Sequence, residues 1–268
     1  MNQIDQNNNK LEIVRILVVI PTFNERESIG ILLNQFQKID LGNNQKLDIL
    51  IVDDNSPDKT ADFIESLNLP NVDILRRASK MGLGSAYKTA IKYALENYEF
   101  DYLVTMDGDG SHQISDLVKM LHSIPKHPKA SLILGSRWIT GGGISNWSNF
   151  RIQLSKAGTR YARWALKLPI NDLTGGFRIY PRTTLERINF DQIRSNGYCY
   201  QIEMAFAIEH LNRNQGSRTE EIPITFIERE NGVSKMSLRI VLEAIWQVTK
   251  MGLRLRFRPT ADKLHYVK

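Results

Sequence analysis

From Ile13 to Ile20 every residue except Arg15 is apolar. Such a run offers no polar face to water, so it predicts a strand covered on both sides. Pro21-Thr22-Phe23-Asn24 ends it. Asn24 is a suitable helix N-cap with Glu27 at the capping-box position, and Ile29, Leu32, Leu33 and Phe36 then recur at the spacing of one helical face. The cycle repeats. Leu47 to Val52 predicts a strand, Ser56-Pro57 a helix start, and Phe63, Ile64 and Leu67 the buried side of that helix. Val72 to Leu75 is a third strand, Gly82-Leu83-Gly84 a loop, and Ala90, Ile91 and Leu95 mark the next helix. Tyr102 to Met106 is a fourth strand that stops at Asp107-Gly108-Asp109-Gly110, with a helix near Asp116 to Ile124 and a strand Ser131 to Leu134 beyond.

Strands alternating with helices predict an α/β fold with a mostly parallel sheet and right-handed crossovers. Ligands of such sheets gather beyond the carboxyl ends of the strands. Pro21–Glu25, Asp53–Ser56 and Asp107–Ser111 are therefore expected to meet in one crevice. After Gly135 the rhythm changes. Gly141-Gly142-Gly143 reads as a loop, Asn149 to Lys167 as a basic helix, Asn171 to Arg178 as a loop, and Cys199 to Asn212 as a helix. Ile222 to Ile227 predicts a strand, Glu228 to Lys235 a loop, and a last helix follows. In it Val241, Leu242, Ile245 and Trp246 share one face, while Arg239, Glu243, Gln247 and Lys250 mark the other. Arg254, Arg256 and Arg258 then alternate with Leu253, Leu255 and Phe257.

Three regions result: a tail over 1–12, an α/β domain over 13–235, and an amphipathic helix with a basic tail over 236–268. A chain of 268 residues with 42% hydrophobic residues can bury one large core. The single cysteine, Cys199, excludes an intramolecular disulfide, suits a reducing compartment and reads as a small buried apolar residue. A net charge of +6 is compatible with a phosphorylated substrate or an anionic surface without choosing between them. Met1 to Lys10 is rich in Asn and Gln and lacks an apolar core, so it predicts a disordered tail rather than a signal peptide. No apolar run approaches the ~18 residues that span a bilayer, so any membrane is met at its surface.

Asp107-Gly108-Asp109 places two carboxylates one residue apart at a strand end, with glycines that let a diphosphate come close, which suits a hard cation. Alone the pattern is common and equally describes a solvated turn. Asp53-Asp54 closes the second strand, where one aspartate can cap a helix and the other is left for a nucleoside; Glu25 can complement a helix dipole. Convergence on three successive strand ends favours a shared ligand.

Val19-Ile-Pro-Thr-Phe-Asn-Glu25, Val52-Asp-Asp-Asn-Ser-Pro-Asp58, Lys80-Met-Gly-Leu-Gly84, Met106-Asp-Gly-Asp-Gly-Ser-His112 and Gly135-Ser-Arg137 resemble the family 2 inverting glycosyltransferases of GT-A fold. Asp172-Leu-Thr-Gly-Gly-Phe-Arg178, Gly197-Tyr-Cys-Tyr-Gln-Ile-Glu203 and Arg229-Glu-Asn-Gly-Val-Ser-Lys235 narrow the likeness to the dolichol- and polyprenol-phosphate mannose synthases. The end of the chain, Trp246 to Arg258, is similar to the actinobacterial members, which lack their own membrane spans.

The resemblance implies transfer of mannose from GDP-mannose to polyprenyl phosphate, with no nucleic acid involved, at the inner face of the membrane as a peripheral cytoplasmic enzyme. Pro21, Phe23, Glu25 and Asp53 would hold the guanosine. Asp107 and Asp109 would hold Mg²⁺ or Mn²⁺, and Arg137, Arg229 and Lys235 would contact donor or acceptor phosphates. Asp172, Gln201 and Glu203 would orient sugar or acceptor. Where some members carry a glutamine metal ligand this chain has Ser111, so Ser111 or water would complete the coordination. His112, beside it, receives no role. The C-terminal helix would meet an anionic membrane surface or an integral-membrane partner. Two other readings compete, a UDP-sugar-dependent glucosyltransferase and a non-catalytic nucleotide-binding module. A dinucleotide-dependent oxidoreductase is disfavoured because no G-x-G-x-x-G follows the first strand.

Overall fold

The computed structural model describes residues 13–42, 44–197, 199–213, 215–228, 238–257 and 266–268. The apolar run becomes β1 (Val14–Thr22), whose residues 16–20 are 0–1% exposed. Its side chains alternate between two cores, as a pleated strand requires. Leu17 and Val19 pack towards α3 (Leu83–Asn97) and α7 (Cys199–Asn212). Ile16, Val18 and Ile20 pack towards α1 (Arg26–Phe36) and α4 (Ile114–Ser123). Each such fully buried side chain contributes roughly 1.5–3 kcal/mol of transfer free energy. That is why β1 tolerates no polar position between Ile16 and Ile20.

The strands β2 (Gln45–Asp53), β3 (Val72–Arg76) and β4 (Tyr102–Thr105) pair parallel around β1, with α2 (Thr60–Ser66) between β2 and β3. The full order is β3-β2-β1-β4-β7-β5-β8, where β5 is Ala130–Ser136, β7 is Arg178–Pro181 and β8 is Arg218–Pro223. β7 runs antiparallel to both β4 and β5. A two-stranded parallel ladder joins β6 (Gly143–Ser145) to β9 (Thr225–Ile227). Helices α5 (Asn149–Leu166), α6 (Arg182–Arg187) and α8 (Leu238–Phe257) complete the elements.

Several local expectations are corrected. Asn24 is not an N-cap: it adopts φ +57°, and α1 begins after Glu25 without a side-chain cap. Ser56-Pro57 does not start a helix, because Ser56 bonds Asp53 instead and α2 begins after Lys59 in a left-handed conformation. Leu67 lies past the end of α2 and is exposed. Leu83 and Gly84 belong to α3 rather than to a loop, and Gly143 belongs to β6. The expected strand Ile222–Ile227 is broken at Ile224 into β8 and β9, which serve different sheets. The alternating segment after Leu253 is helical through Phe257, so alternation there does not gather the arginines on one face. The tail over 1–12, Arg229, Lys235 and Arg258 lie outside the described residues.

α8 lies against α5. Val248 and Met251 are buried, and the Tyr161 and Thr249 hydroxyls meet at 2.6 Å. At Gly252 an added Cβ would lie 3.0 Å from the Ala165 carbonyl oxygen, so the two backbones touch there. The expected apolar face is thus rotated outward: Ile245 and Leu253 are exposed, Trp246 is 66% exposed, and Trp164 of α5 is 65% exposed beside them. No helix among the described residues is long and apolar enough to cross a membrane.

Candidate active site

The ends of β1, β2 and β4 open into a cavity of about 500 Å³. One wall is Pro21, Thr22, Phe23 and Glu25, and the floor is Asp107, Gly108 and Asp109. Asp54, Lys80 and the start of α3 close one side; Arg194–Gly197 and Cys199 close the other, with Glu243, Ala244 and Gln247 of α8. The convergence expected from the three strand ends is therefore present.

Asp107 sits between a hydroxyl and an imidazole. Tyr87 Oη donates to its Oδ1 at 3.1 Å, and its backbone N–H donates to His112 Nδ1 at 3.1 Å. Burial pushes the Asp107 carboxyl above the usual carboxylate range, and the negative charge of Asp109 pushes the same way. A cation beside the two carboxylates would offset that penalty on Asp107. Gly108 has little freedom to be anything else, since an added Cβ would lie 3.1 Å from Ile20 Cγ2 and 3.3 Å from Thr22 Cγ2. Ser111 is buried beside the pair, and its hydroxyl donates to Asp109 Oδ1 at 2.6 Å. Among the described residues no cluster of three or more His, Cys, Asp and Glu side chains could hold a metal ion. A cation here would take its other ligands from water or a bound diphosphate.

Asp53 does not face the cavity. Its carboxylate accepts from Thr22 Oγ1 at 3.0 Å, Ser56 N at 2.9 Å and Ser56 Oγ at 2.6 Å, which ties the end of β1 to the loop after β2. Asp54 lines the cavity in its place. It is paired with Arg77 Nη1 at 2.6 Å, while burial raises its carboxyl above the ordinary value against the pull of Arg77. Arg77 is itself held by Ser85 Oγ at 2.8 Å. Glu25 lines the wall and accepts from Ser28 Oγ at 2.9 Å. Lys80 Nζ stands 3.8 Å above the centre of the Phe23 ring, a cation–π contact at the cavity edge.

Arg137 and Asp172 lie outside this lining and form a buried bidentate pair. Arg137 Nε and Nη2 donate to the two carboxylate oxygens at 2.7 Å each, and Arg137 N donates to Oδ2 at 3.0 Å. Burial alone would raise the Asp172 carboxyl, but Arg137 holds it below the usual range. The guanidinium lies 5.5–5.6 Å from the rings of Trp138, Trp147 and Phe226.

The turn at Gly175-Gly176 joins this pair to the carboxylates. A Cβ on Gly176 would lie 3.5 Å from both Asp107 Oδ1 and Gln201 Nε2, so Gly176 packs against both the Asp107 carboxylate and the Gln201 amide. That amide is buried and its polar atoms have no hydrogen-bond partner among the described residues. Glu203 is not at the site. Its oxygens accept from Ser195 N at 2.8 Å and Tyr266 Oη at 3.1 Å, fastening the cavity wall to the returning end of the chain. Residues two apart on a helix point about 200° apart, so Gln201 and Glu203 cannot both face one site. Sequence reasoning missed Tyr87, Lys80, Arg77 and the α8 lining. Tyr87 carries no local signal, because a tyrosine on the apolar face of a helix reads as core.

The family model for Glycosyl transferase family 2 matches residues 17–188. The chain belongs to that family, and its sheet, flanked by helices on both faces, is the GT-A arrangement. It is 42% identical to an undecaprenyl-phosphate mannosyltransferase of Micrococcus luteus, over 94% of this chain and 99% of that one. It is 39% identical to a polyprenol monophosphomannose synthase of Mycolicibacterium smegmatis, over 90% of this chain and 88% of that one. Among solved structures, the fold matches a Pyrobaculum calidifontis mannosyltransferase in complex with GDP-Man and Mn²⁺. That match has a TM-score of 0.60 and 19% identity, and covers 94% of this chain and 67% of the other. It also matches a Mycobacterium tuberculosis glucosyl-3-phosphoglycerate synthase in complex with Mn²⁺ and UDP, with a TM-score of 0.64, 15% identity and coverage of 92% and 80%.

Proposed function

We propose that this chain transfers mannose from GDP-mannose to a polyprenyl phosphate, giving polyprenyl-phosphomannose and GDP with inversion at the anomeric carbon. The observation that carries the reading is 42% identity, nearly end to end, with a protein named for mannosyl transfer to undecaprenyl phosphate.

The residues support a division of labour. Pro21, Phe23, Glu25 and Asp54 line the part of the cavity at the ends of β1 and β2 and would hold the nucleoside. Asp107 and Asp109 would hold a divalent cation, Mg²⁺ or Mn²⁺, which when bound neutralises charge on the departing diphosphate. The acceptor phosphate, with a second pKa near ~6, is already largely dianionic at neutral pH and needs no strong base. One of its oxygens attacks the anomeric carbon as the bond to the GDP β-phosphate oxygen breaks, and that oxygen takes the electron pair. Arg137 presents a planar guanidinium already oriented by Asp172, the geometry that suits a phosphate. Arg229 and Lys235 belong to the same proposal as phosphate contacts. Gln201, whose buried amide has no hydrogen-bond partner among the described residues, fits a hydroxyl of the sugar or an oxygen of the acceptor.

The exposed tryptophans of α5 and α8, with Arg256 5.4 Å from the Trp164 ring, support contact with an anionic bilayer surface or a membrane-protein partner. The function is tested by supplying polyprenyl phosphate and Mn²⁺ with GDP-mannose or UDP-glucose. Lipid-linked product is expected from GDP-mannose alone, and product from UDP-glucose instead would overturn the donor assignment. The membrane reading is tested by co-sedimentation with anionic vesicles at low salt, which Trp164→Ser and Trp246→Ser should weaken. Equal sedimentation of both variants and the unaltered protein would reject these tryptophans as the contact.

A further inference from the structure

His112 and Tyr87 have no part in the division of labour above, yet each meets Asp107. Tyr87 is 0% exposed, its ring stacks on Tyr200 with centroids 6.0 Å apart, and its hydroxyl donates to Asp107 Oδ1. His112 is clamped between rings, stacked on Phe177 at 4.7 Å and edge-on to Phe226 at 5.6 Å. Its Nδ1 accepts the Asp107 backbone N–H at 3.1 Å. A nitrogen that accepts carries no proton, so the imidazole hydrogen is on Nε2, which lies 4.0 Å from Asp107 Oδ2. Oδ1 thus accepts a hydrogen bond from the Tyr87 hydroxyl, while Oδ2 has the imidazole N–H facing it at a distance that is electrostatic contact rather than a hydrogen bond. Both groups are fixed by stacking rather than free to rotate.

We infer that Tyr87 and His112 are positioning residues that hold the Asp107 carboxylate in one orientation for a divalent cation. The inference rests on the metal reading proposed above and goes beyond it, because it assigns two residues that touch neither cation nor substrate. A carboxylate at a strand end otherwise has two freely turning side-chain bonds, and ordering them only on cation binding costs conformational entropy. One fixed hydrogen bond, from Tyr87, and one fixed imidazole N–H dipole, from His112, settle that orientation in advance. Partners of this kind behind a metal-binding carboxylate typically account for about 10–100-fold in metal affinity. The backbone bond to Nδ1 adds a second effect, since it anchors the loop from which Asp107 and Asp109 both project.

The test measures metal rather than turnover. Free Mn²⁺ is followed by electron paramagnetic resonance as it is titrated into protein with GDP, for the unaltered chain and for Tyr87→Phe, His112→Phe and His112→Asn. Tyr87→Phe keeps the ring and its stacking and removes only the hydroxyl, so it is the variant that folds with least disturbance. It should weaken Mn²⁺ binding about tenfold or more while leaving GDP binding in chelator unchanged. His112→Asn keeps an acceptor for the Asp107 N–H, so it should bind Mn²⁺ better than His112→Phe, which keeps none. Affinities for Mn²⁺ equal to that of the unaltered protein in Tyr87→Phe and His112→Phe would overturn the inference. No Mn²⁺ binding by the unaltered protein would overturn the metal reading itself, and the inference with it.

Discussion

Asp172→Asn removes one charge and one acceptor from the most enclosed ion pair at the site. Asp172 is 0% exposed and Arg137 is 7% exposed. The carboxylate receives three hydrogen bonds from Arg137, at 3.0, 2.7 and 2.7 Å, and one from Gly175 N at 3.1 Å. A carboxamide keeps the shape but turns an NH₂ towards a guanidinium that can only donate, and leaves the arginine charge buried without a counter-charge. Breaking a buried pair on one side costs about 3–5 kcal/mol. At roughly 2–4 °C per kcal/mol for a chain of this size class, the melting temperature should fall by about 6–20 °C. Arg137→Met combined with Asp172→Leu removes both charges and should recover much of the stability while transfer remains abolished. The pH dependence has a definite sign. Arg137 holds the folded-state Asp172 carboxyl below its ordinary value, so its contribution is complete above about pH 4 and is lost as pH falls through the folded value. Melting curves of the two proteins should therefore differ by a constant amount from neutral pH to about pH 5, and converge in stronger acid. An Asp172→Asn variant melting within about 2 °C of the unaltered protein at pH 7, or a gap that closes as pH rises, would refute the reasoning.

Burial pushes the Cys199 thiol up to about 12, so at pH 8 roughly one part in ten thousand is thiolate. Alkylation of the folded protein should run about a thousandfold slower than that of a small-molecule thiol, and labelling within minutes would contradict the burial. Gly84→Ala would place a methyl 2.5 Å from Tyr200 Cβ and 2.8 Å from its Cγ, closer than atoms pack. Thermal unfolding should show an overpacking cost of about 1–3 kcal/mol, whereas an unchanged midpoint would mean that α3 and α7 can part freely.

The carboxylates at the strand ends were legible because their position follows from topology alone. A strand buried on both faces must end in a polar turn, and parallel strands bring those turns together. The partners of these groups were less legible, because sequence spacing does not reveal which polar atom wins a hydrogen bond. Position alone does not separate Asp53 from Asp54, and the resemblance assigns the nucleoside to Asp53. Ser56 captures Asp53 through both its N–H and its hydroxyl, which leaves Asp54 for the cavity. Glu203 read as a site residue beside Gln201, yet helix geometry sends it to Tyr266. The strand Arg178–Pro181 had no signal: the expected loop stopped at Arg178, and an arginine start with a proline end in four residues carries no strand pattern. It is stable because the buried Arg178 guanidinium is satisfied by the carbonyls of Gly175, Leu173 and Gln201. α8 was expected to be amphipathic, and it is, but its buried stripe is Val248 and Met251 rather than the face that carries Trp246.

The place of β7 in the sheet also sets an order of assembly. β4 and β5 do not pair with each other; β7 lies between them and runs opposite to both. On a chain emerging from the ribosome, β1 to β4 can zip together as a parallel half-sheet, but β5 has no seat until Arg178–Pro181 arrives. During that interval the outer edge of β4 is an open row of backbone donors and acceptors, the kind of edge that recruits foreign strands. The hazard of aggregation is therefore concentrated in one stretch of synthesis, and slowing translation between Ser136 and Arg178 should lower the yield of folded protein more than slowing it elsewhere.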